Sequence, residues 1–196
     1  PTGALVTTFD PGSGPNGAVY GVRALSNGKV LAFGAFTSCS GVPAYRQIRL
    51  DTDGGLDETY SFNGSNGRTT AVAVLNDGRM LVGGEFNVIN GTPAIRLARL
   101  FPNGTVDAGF MPGIQPEIPI VGSFRLNDLI VQPDGKILAA GFLRTVPQVQ
   151  GNAGFGIGRM DPNGAPDPTF TAAIASGQDA RALSLQSDGK IIAAIS

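Results

Sequence analysis

Short runs in which apolar and polar residues alternate recur along the chain, and each is followed by a turn signal. In one of them, residues 69–75 alternate, Asp77-Gly78 follows, and residues 79–86 return with small and apolar side chains. Alternation with a period of two is typical of a half-buried strand, and Asp-Gly between two such runs indicates a β-hairpin. The pattern therefore predicts a hairpin with a two-residue type I′ turn at Asp77-Gly78.

The same turn signal occurs four times at a nearly constant spacing. Each copy is Asn-Gly or Asp-Gly followed by Lys or Arg, and consecutive glycines are 50, 57 and 54 residues apart. A period of this size indicates a solenoid, a propeller or another repeat array. The predicted structural turn residues are Asn27, Gly28, Asp77, Gly78, Asp134, Gly135, Asp188 and Gly189.

Further landmarks follow each turn in one fixed order, among them an Arg-Leu or Arg-Met pair, a second Gly turn and an Asp-x-x-aromatic segment. No segment shows helical spacing of apolar residues over three turns. We therefore predict an all-β, β-propeller-like fold of four-stranded antiparallel blades that repeat about every 50–60 residues. In the second unit the four strands are expected at 69–75, 79–86, 94–100 and 106–110, with a loop at 87–93. The units run over about 4–55, 56–105, 106–165 and, partially, 166–196, as one repeat domain or a segment of a larger propeller.

The second strand of each unit is rich in Gly and Ala. Glycine within a strand often marks the close approach of another backbone. Crowding near the centre of a propeller and ordinary packing of one sheet on another both explain these residues. They are Ala32, Gly34, Gly83, Gly84, Ala139, Ala140, Ala193 and Ala194.

Composition narrows the classes of partner. Charged residues make up 15% of the 196, the net charge is −1, and no basic stripe occurs. Nucleic acid and anionic membrane surfaces are therefore not expected partners. No apolar run has the length of a transmembrane segment. The chain opens on a strand of the fourth type, without Met, and stops within a strand of the second type, so we expect either a longer chain or strands supplied by another copy.

The residue types that usually carry catalysis do not form a catalytic pattern in this sequence. The sequence has no His, which excludes a Ser-His-Asp system in these residues. Cys39 is the single cysteine, which is more typical of an incidental thiol than of a nucleophile. Nearly every acid recurs at a turn position, and repetition favours a role in the fold. Arginines recur in pairs as well, and within a pair such as Arg46 and Arg49 we expect one to meet a turn Asp and the other to meet solvent.

One acidic run suggests calcium. Asp51, Asp53 and Asp57 stand in the pattern D-x-D-G-x-x-D, which is part of the spacing of a calcium loop. The loop is short, lacks the terminal Glu, and weakens in the other repeats. An Asx-stabilised hairpin turn is the other interpretation. Apart from this calcium hypothesis, no cofactor is expected.

The ordered landmarks resemble a known family. The order Asp-Gly-Lys, small-residue strand, Arg-Leu, Pro-Asn-Gly and Asp-x-x-Phe is similar to the delta-60 repeat of bacterial surface and secreted proteins. Residues 132–141 and 155–164 are the closest copies, whereas the first unit departs from the pattern at Asn27 and Val6. The resemblance implies a propeller architecture and an extracellular or cell-surface location, and it implies no catalytic residues.

We therefore expect a non-catalytic extracellular or cell-surface scaffold that binds protein or glycan in adhesion or surface structure. Its binding surface is expected on the long loops, including 37–44 and the inserted segment 146–152; a second insertion lies at 115–119. Two alternatives remain. One is a self-assembling surface protein completed by strands of neighbouring copies, and the other is a polysaccharide-acting enzyme or a calcium-dependent glycan-binding module.

Overall fold

The computed structural model describes residues 6–110, 112, 126–141, 156–172 and 178–196. Every regular element among these residues is a β-strand, and the strands form small antiparallel sheets, as the alternating pattern predicts. Three of the sheets have three strands each. The first contains β1 (Val19–Ala24), β2 (Val30–Gly34) and β5 (Gln47–Leu50), and the second contains β6 (Thr69–Val74), β7 (Met80–Gly84) and β10 (Leu97–Leu100). The third contains β11 (Leu126–Val131), β12 (Ile137–Gly141) and β13 (Gly156–Met160). A fourth contains β14 (Ala180–Leu185) and β15 (Ile191–Ile195).

The sheets are blades that follow one another along the chain. In each complete blade the second strand lies in the middle and pairs with the first and third strands. The first strands of neighbouring blades contact one another, so they line the inner side of the array. The all-β, propeller-like fold expected from the repeat is thus confirmed, and the sheets do not close into a barrel.

In each of the three complete blades, the fourth strand is reduced to a single bridge. Val106 bridges Leu100, and the predicted strand 106–110 then turns back because the backbone N–H of Phe110 donates to the carbonyl of Asp107 (3.2 Å). The segment 87–93, expected to be a loop, instead contains a small hairpin of β8 (Val88–Ile89) and β9 (Thr92–Pro93). The first blade has the same hairpin, formed by β3 (Ser38–Cys39) and β4 (Val42–Pro43).

The hairpin turns have three loop residues rather than two. Gly78 has φ +81°, but Asp77 does not have a positive φ, so the predicted type I′ turn is wrong. The N–H of Gly78 donates to the carbonyl of Leu75 (2.9 Å), as in a type I turn followed by a left-handed Gly. Oδ1 of Asp77 accepts the N–H of Arg79 (3.0 Å), and this bond explains why an acid or amide precedes each Gly.

The core lies between blades. Leu31 and Phe33 of the first blade pack with Val72 and Val82 of the second. The other face of the second blade packs against the third through Leu81 among others. A further cluster joins the third blade to the fourth. Each inner blade is therefore apolar on both faces, which gives its middle strand an almost continuous apolar sequence.

The small residues have two separate causes. A Cβ on Gly84 would lie 2.0 Å from the carbonyl oxygen of Arg68, within the same blade. A Cβ on Gly83 would lie 2.3 Å from the side chain of Leu126, in the next blade. Close backbone approach and blade-to-blade packing therefore both explain the small residues.

Among the described residues, no helix has the length and apolarity needed to cross a membrane.

Candidate functional site

The two ends of the strands form two different edges of each blade, which we call the turn edge and the hairpin edge. The turn edge carries the two Gly turns of each blade and the repeated acids. The hairpin edge lies at the opposite ends of the strands and carries the connections 35–46 and 85–96, which contain the small hairpins. The corresponding connection of the third blade includes residues 142–155, which lie outside the described residues.

An ion-pair network repeats at the turn edge. Arg99 Nε lies 2.7 Å from Asp107 Oδ2, and Arg159 Nε lies 2.9 Å from Asp167 Oδ2. Arg99 Nη1 also donates to the carbonyl of Pro162 in the next blade (2.6 Å). The guanidinium carbon of Arg99 lies 4.8 Å from the ring centre of Phe110. The Arg-Leu and Asp-x-x-aromatic landmarks are therefore two halves of one contact that ties neighbouring blades together.

The first blade contains the same network. In all three blades a second cation joins the aspartate: Lys29 in the first, Arg79 at Asp107 (3.3 Å) and Lys136 at Asp167 (3.1 Å). Asp57 Oδ2 pairs with Arg49 Nε (2.5 Å) and with Lys29 Nζ (2.7 Å). Burial alone would raise the pKa of Asp57, but hydrogen bonds from Lys29, Thr59 and Arg49 outweigh it and hold that pKa well below its usual range. Asp57 is therefore an anchored carboxylate.

The Lys29 side chain also lies at the loop for which the sequence suggests calcium. Lys29 Nζ lies 2.8 Å from Asp51 Oδ1 as well, so its ammonium group sits between Asp51 and Asp57. Asp53 Oδ1 accepts the N–H of Gly55 (3.0 Å), which is an Asx-type turn contact. The described residues contain no group of three or more acidic, His or Cys side chains placed to hold a metal ion.

The other predicted site residues lie in turns. Asp134 and Asp188 accept the N–H of Lys136 and Lys190 through Oδ1 (both 3.1 Å), and Asn27 accepts the N–H of Lys29 in the same way (3.2 Å). The substitution in the first repeat therefore keeps the acceptor. The glycines that follow these residues all have positive φ, namely Gly28, Gly78, Gly135 and Gly189.

Two further residues of the sequence analysis, Cys39 and Arg46, belong to the packed part of the structure. Cys39 is buried among apolar side chains, and burial raises the pKa of its thiol, so this cysteine packs in the core. One member of the pair Arg46 and Arg49 was expected to meet a turn Asp, as Arg49 does, which leaves Arg46 as the member expected to meet solvent. It is instead half-buried, and its Nη1 donates to the carbonyls of Ala35 and Phe36 (both 3.2 Å).

The hairpin edge is held in place by an asparagine in each of the first two blades. Oδ1 of Asn16 accepts the N–H groups of Thr37 (2.8 Å) and Ser38 (3.0 Å). Oδ1 of Asn66 does the same for residues 87 and 88 in the second blade (3.0 and 3.1 Å). Sequence reasoning missed these two residues, although the Asn-Gly pairs at 16 and 66 recur at the repeat spacing of 50.

The hairpins are packed on one side and exposed on the other. Cys39 and Ile89, at equivalent positions, are buried. Tyr45 and Ile95 are also equivalent, and they are 49% and 38% exposed. Val42 is exposed beside Tyr45. The first two blades therefore present apolar side chains to solvent on a fixed support, and the predicted loop 37–44 contributes Val42 to this surface. The predicted loop 146–152 and the insertion at 115–119 lie outside the described residues.

Strained backbone recurs at the same edge. Ser40 and Arg46 have positive φ (48° and 79°), and so do their equivalents Asn90 and Arg96 (49° and 66°). Such residues cost roughly 1–3 kcal/mol each and persist only where the surroundings fix them. Their repetition shows that the hairpin edge is built to one geometry in both blades.

Comparison with known proteins agrees with the fold. No curated protein matches the chain at a significant level. Three stretches, 25–60, 75–110 and 132–170, match the family described as "Domain of unknown function (DUF5122) beta-propeller". Each stretch begins near a Gly turn and ends at the aromatic residue of the Asp-x-x-aromatic segment, so each contains one complete ion-pair network. Because these matches cover more than half of the sequence, the chain belongs to the DUF5122 beta-propeller family.

Proposed function

We propose that this chain is a non-catalytic extracellular or cell-surface scaffold that binds a partner through its hairpin edge. The observation that carries the proposal is the repeated, anchored hairpin with exposed Val42, Tyr45 and Ile95. Apolar side chains on a rigid support lose little conformational freedom on binding, which favours affinity. The resemblance to delta-60 repeats of surface and secreted proteins supports the location.

A protein partner fits this surface better than a glycan. Two of the three exposed side chains are aliphatic, and the edge carries few charges. Aliphatic side chains bury well against apolar protein surface. Tyr45 alone offers an aromatic face to a sugar ring.

The lowered pKa values of the repeated aspartates support a non-catalytic role. A general acid needs a raised pKa at neutral pH. Burial alone would raise the pKa of Asp57 and Asp107, but hydrogen bonds from neighbouring groups outweigh it and lower the pKa of both. Hydrogen bonds lower the pKa of Asp167 as well, where burial has little effect. These carboxylates are therefore held ionised by Arg, Lys and Thr partners.

The test is binding to a displayed peptide library and to a polysaccharide array. We expect enrichment of apolar peptides, with a loss of at least tenfold in affinity for Tyr45→Ser/Ile95→Ser. Phe101→Asp is the matched control, because Phe101 is an exposed apolar residue at the turn edge and Asp occupies its equivalents 51 and 161. Absence of binding in both panels would contradict the proposal, and release of shorter oligosaccharides would favour the enzymatic alternative.

A further inference from the structure

Seven Asn-Gly pairs occur in the sequence, and all of them lie within the described residues. Asn-Gly is prone to spontaneous deamidation, in which the glycine nitrogen attacks the side-chain amide carbon of the asparagine. A hydrogen bond that ties up the glycine N–H or fixes the amide must break before the two groups can react. The pairs begin at Asn16, Asn27, Asn63, Asn66, Asn90, Asn103 and Asn163.

In three of these pairs the glycine N–H closes a turn. Gly28 donates to the carbonyl of Leu25 (3.0 Å), and Gly104 donates to that of Phe101 (2.9 Å). Gly164 makes the same bond to residue 161 (3.0 Å). The attacking nitrogen is therefore occupied at Asn27, Asn103 and Asn163.

In another three pairs the asparagine side chain is fixed. Oδ1 of Asn16 and of Asn66 each accepts two backbone N–H groups of the neighbouring hairpin. Oδ1 of Asn90 accepts the N–H of Asn63 (2.7 Å), and its Nδ2 donates to the carbonyl of Gly104 (2.8 Å). These amides hold the hairpin edge together and are not free to turn toward the next residue.

The pair Asn63-Gly64 has neither protection. Asn63 is exposed, and its amide group has no partner among the described residues. Gly64 is buried, yet its N–H has no acceptor among them. In the first blade the equivalent Gly14 donates to the carbonyl of Pro11 and to Oγ of Ser40 (both 3.3 Å). A buried N–H without an acceptor is rare, and here it stands beside an unbound amide.

We propose that Asn63 is a site of spontaneous covalent modification, at which the chain converts an asparagine to aspartate and isoaspartate. The nitrogen of Gly64 forms a bond to Cγ of Asn63, the Cγ–Nδ2 bond breaks, and the amide nitrogen leaves as ammonia with the proton of the Gly64 N–H. Water then opens the succinimide ring. Opening at Cγ gives aspartate, and opening at the main-chain carbonyl gives isoaspartate.

The surroundings of this pair explain why a reactive dipeptide stands there. A Cβ on Gly64 would lie 2.4 Å from Cβ of Tyr45, and Gly64 has a φ of +108°. Glycine is therefore required by the packing of the hairpin edge.

Isoaspartate at this position would disturb the hairpin of the second blade. The N–H of Asn63 donates to Asn90 Oδ1 (2.7 Å), and the carbonyl of Gly64 accepts the N–H of Asn90 (2.7 Å). Isoaspartate adds one atom to the main chain between these two bonds, whereas aspartate adds none. Formation of isoaspartate therefore loosens the support of residues 88–93. This inference concerns the chemistry of the chain and stands independently of the partner proposed for the hairpin edge.

The test is incubation of the purified chain in mildly alkaline heavy-oxygen water, followed by peptide mapping with mass spectrometry. Ring opening incorporates one solvent oxygen, and fragment ions separate Asn63 from Asn66. We expect Asn63 to react about tenfold faster than any of the other six, because each of those must first lose a hydrogen bond. In concentrated urea the seven pairs should react at similar rates, because the protecting bonds are absent.

Hydrogen exchange of residues 88–93 tests the structural consequence. Exchange should accelerate as isoaspartate accumulates in the wild-type chain and stay constant in Asn63→Gln, whose longer side chain forms the ring far more slowly. Three results would overturn the proposal. They are uniform rates in the folded chain, an intact Asn63 after the urea sample has reacted, and selectivity for Asn63 that persists in urea. Equal acceleration of exchange in Asn63→Gln would overturn the link to the hairpin.

Discussion

Arg99 and Asp107 form an ion pair of 2.7 Å in which both side chains are almost completely buried. The pair joins the third strand of the second blade to the turn that follows it, and Arg99 continues to the carbonyl of Pro162 in the third blade. Asp107→Asn should therefore destabilise the fold by about 3 kcal/mol, because it leaves a buried guanidinium without its counter-ion. Chemical denaturation monitored by circular dichroism measures this change.

Asp77→Asn is the matched control for that substitution. Asp77 is half-exposed, and its Oδ1 serves the turn in the way that the amide oxygen of Asn27 does in the first repeat. We expect a change of less than about 1 kcal/mol. Equal losses in the two variants would show that burial of the Arg99 pair does not matter.

Stability should fall in acid. Partners lower the pKa of Asp57, Asp107 and Asp167 in the folded chain, whereas an unfolded Asp titrates near a pKa of about 3.9. The unfolded state therefore binds more protons as the pH falls, and the free energy of unfolding decreases with it. Urea denaturation should give a constant value near neutrality and a progressive decline below about pH 5. The decline should be shallower in Asp107→Asn; an identical slope would contradict this assignment.

Gly84 should tolerate no side chain. A Cβ there would lie 2.0 Å from the carbonyl oxygen of Arg68, and its nearest neighbours are all backbone atoms of Arg68 and Thr69, which cannot move aside as a side chain can. Gly84→Ala should cost about 3 kcal/mol. Gly91→Ala is the control, because its site is open and the only cost is a positive φ of 73°, about 1 kcal/mol. A smaller loss at Gly84 than at Gly91, measured by thermal melting, would refute the close-approach argument.

Calcium should leave the melting temperature unchanged. Lys29 places an ammonium group between Asp51 and Asp57, where the calcium hypothesis requires the metal. A ligand that binds only the folded chain at a hundred times its dissociation constant stabilises it by about 2.7 kcal/mol, which a melting curve detects easily. A rise in melting temperature with calcium but not with magnesium would favour the metal site.

Local residue chemistry predicted much of this fold. Alternation placed the long strands, and the recurrence of Asp-Gly placed the turns between them. The turn type was wrong because Asp77 Oδ1 captures the N–H of Arg79 and Gly78 alone needs a positive φ. Strand 106–110 was overestimated because Asp107 Oδ1 captures the N–H of Gly109 (3.0 Å) and bends the chain.

Contacts between repeats were harder to predict. The spacing of eight residues between Arg99 and Asp107 suggests a pair, but nothing local shows that the same guanidinium reaches Pro162. The hairpin Val88–Ile89 with Thr92–Pro93 was missed because strands of two residues show no alternation. Its anchor, Asn66, is distant in sequence from the N–H groups that it accepts.

Each sheet is formed by strands that lie close together in the sequence. The first is complete between residues 19 and 50, and the second between 69 and 100. Such short-range pairing lets each blade form soon after its own residues are synthesised, before later repeats exist. Duplication or deletion of one whole repeat leaves every remaining hydrogen-bonded ladder intact, so this architecture can change its length during evolution in steps of one blade.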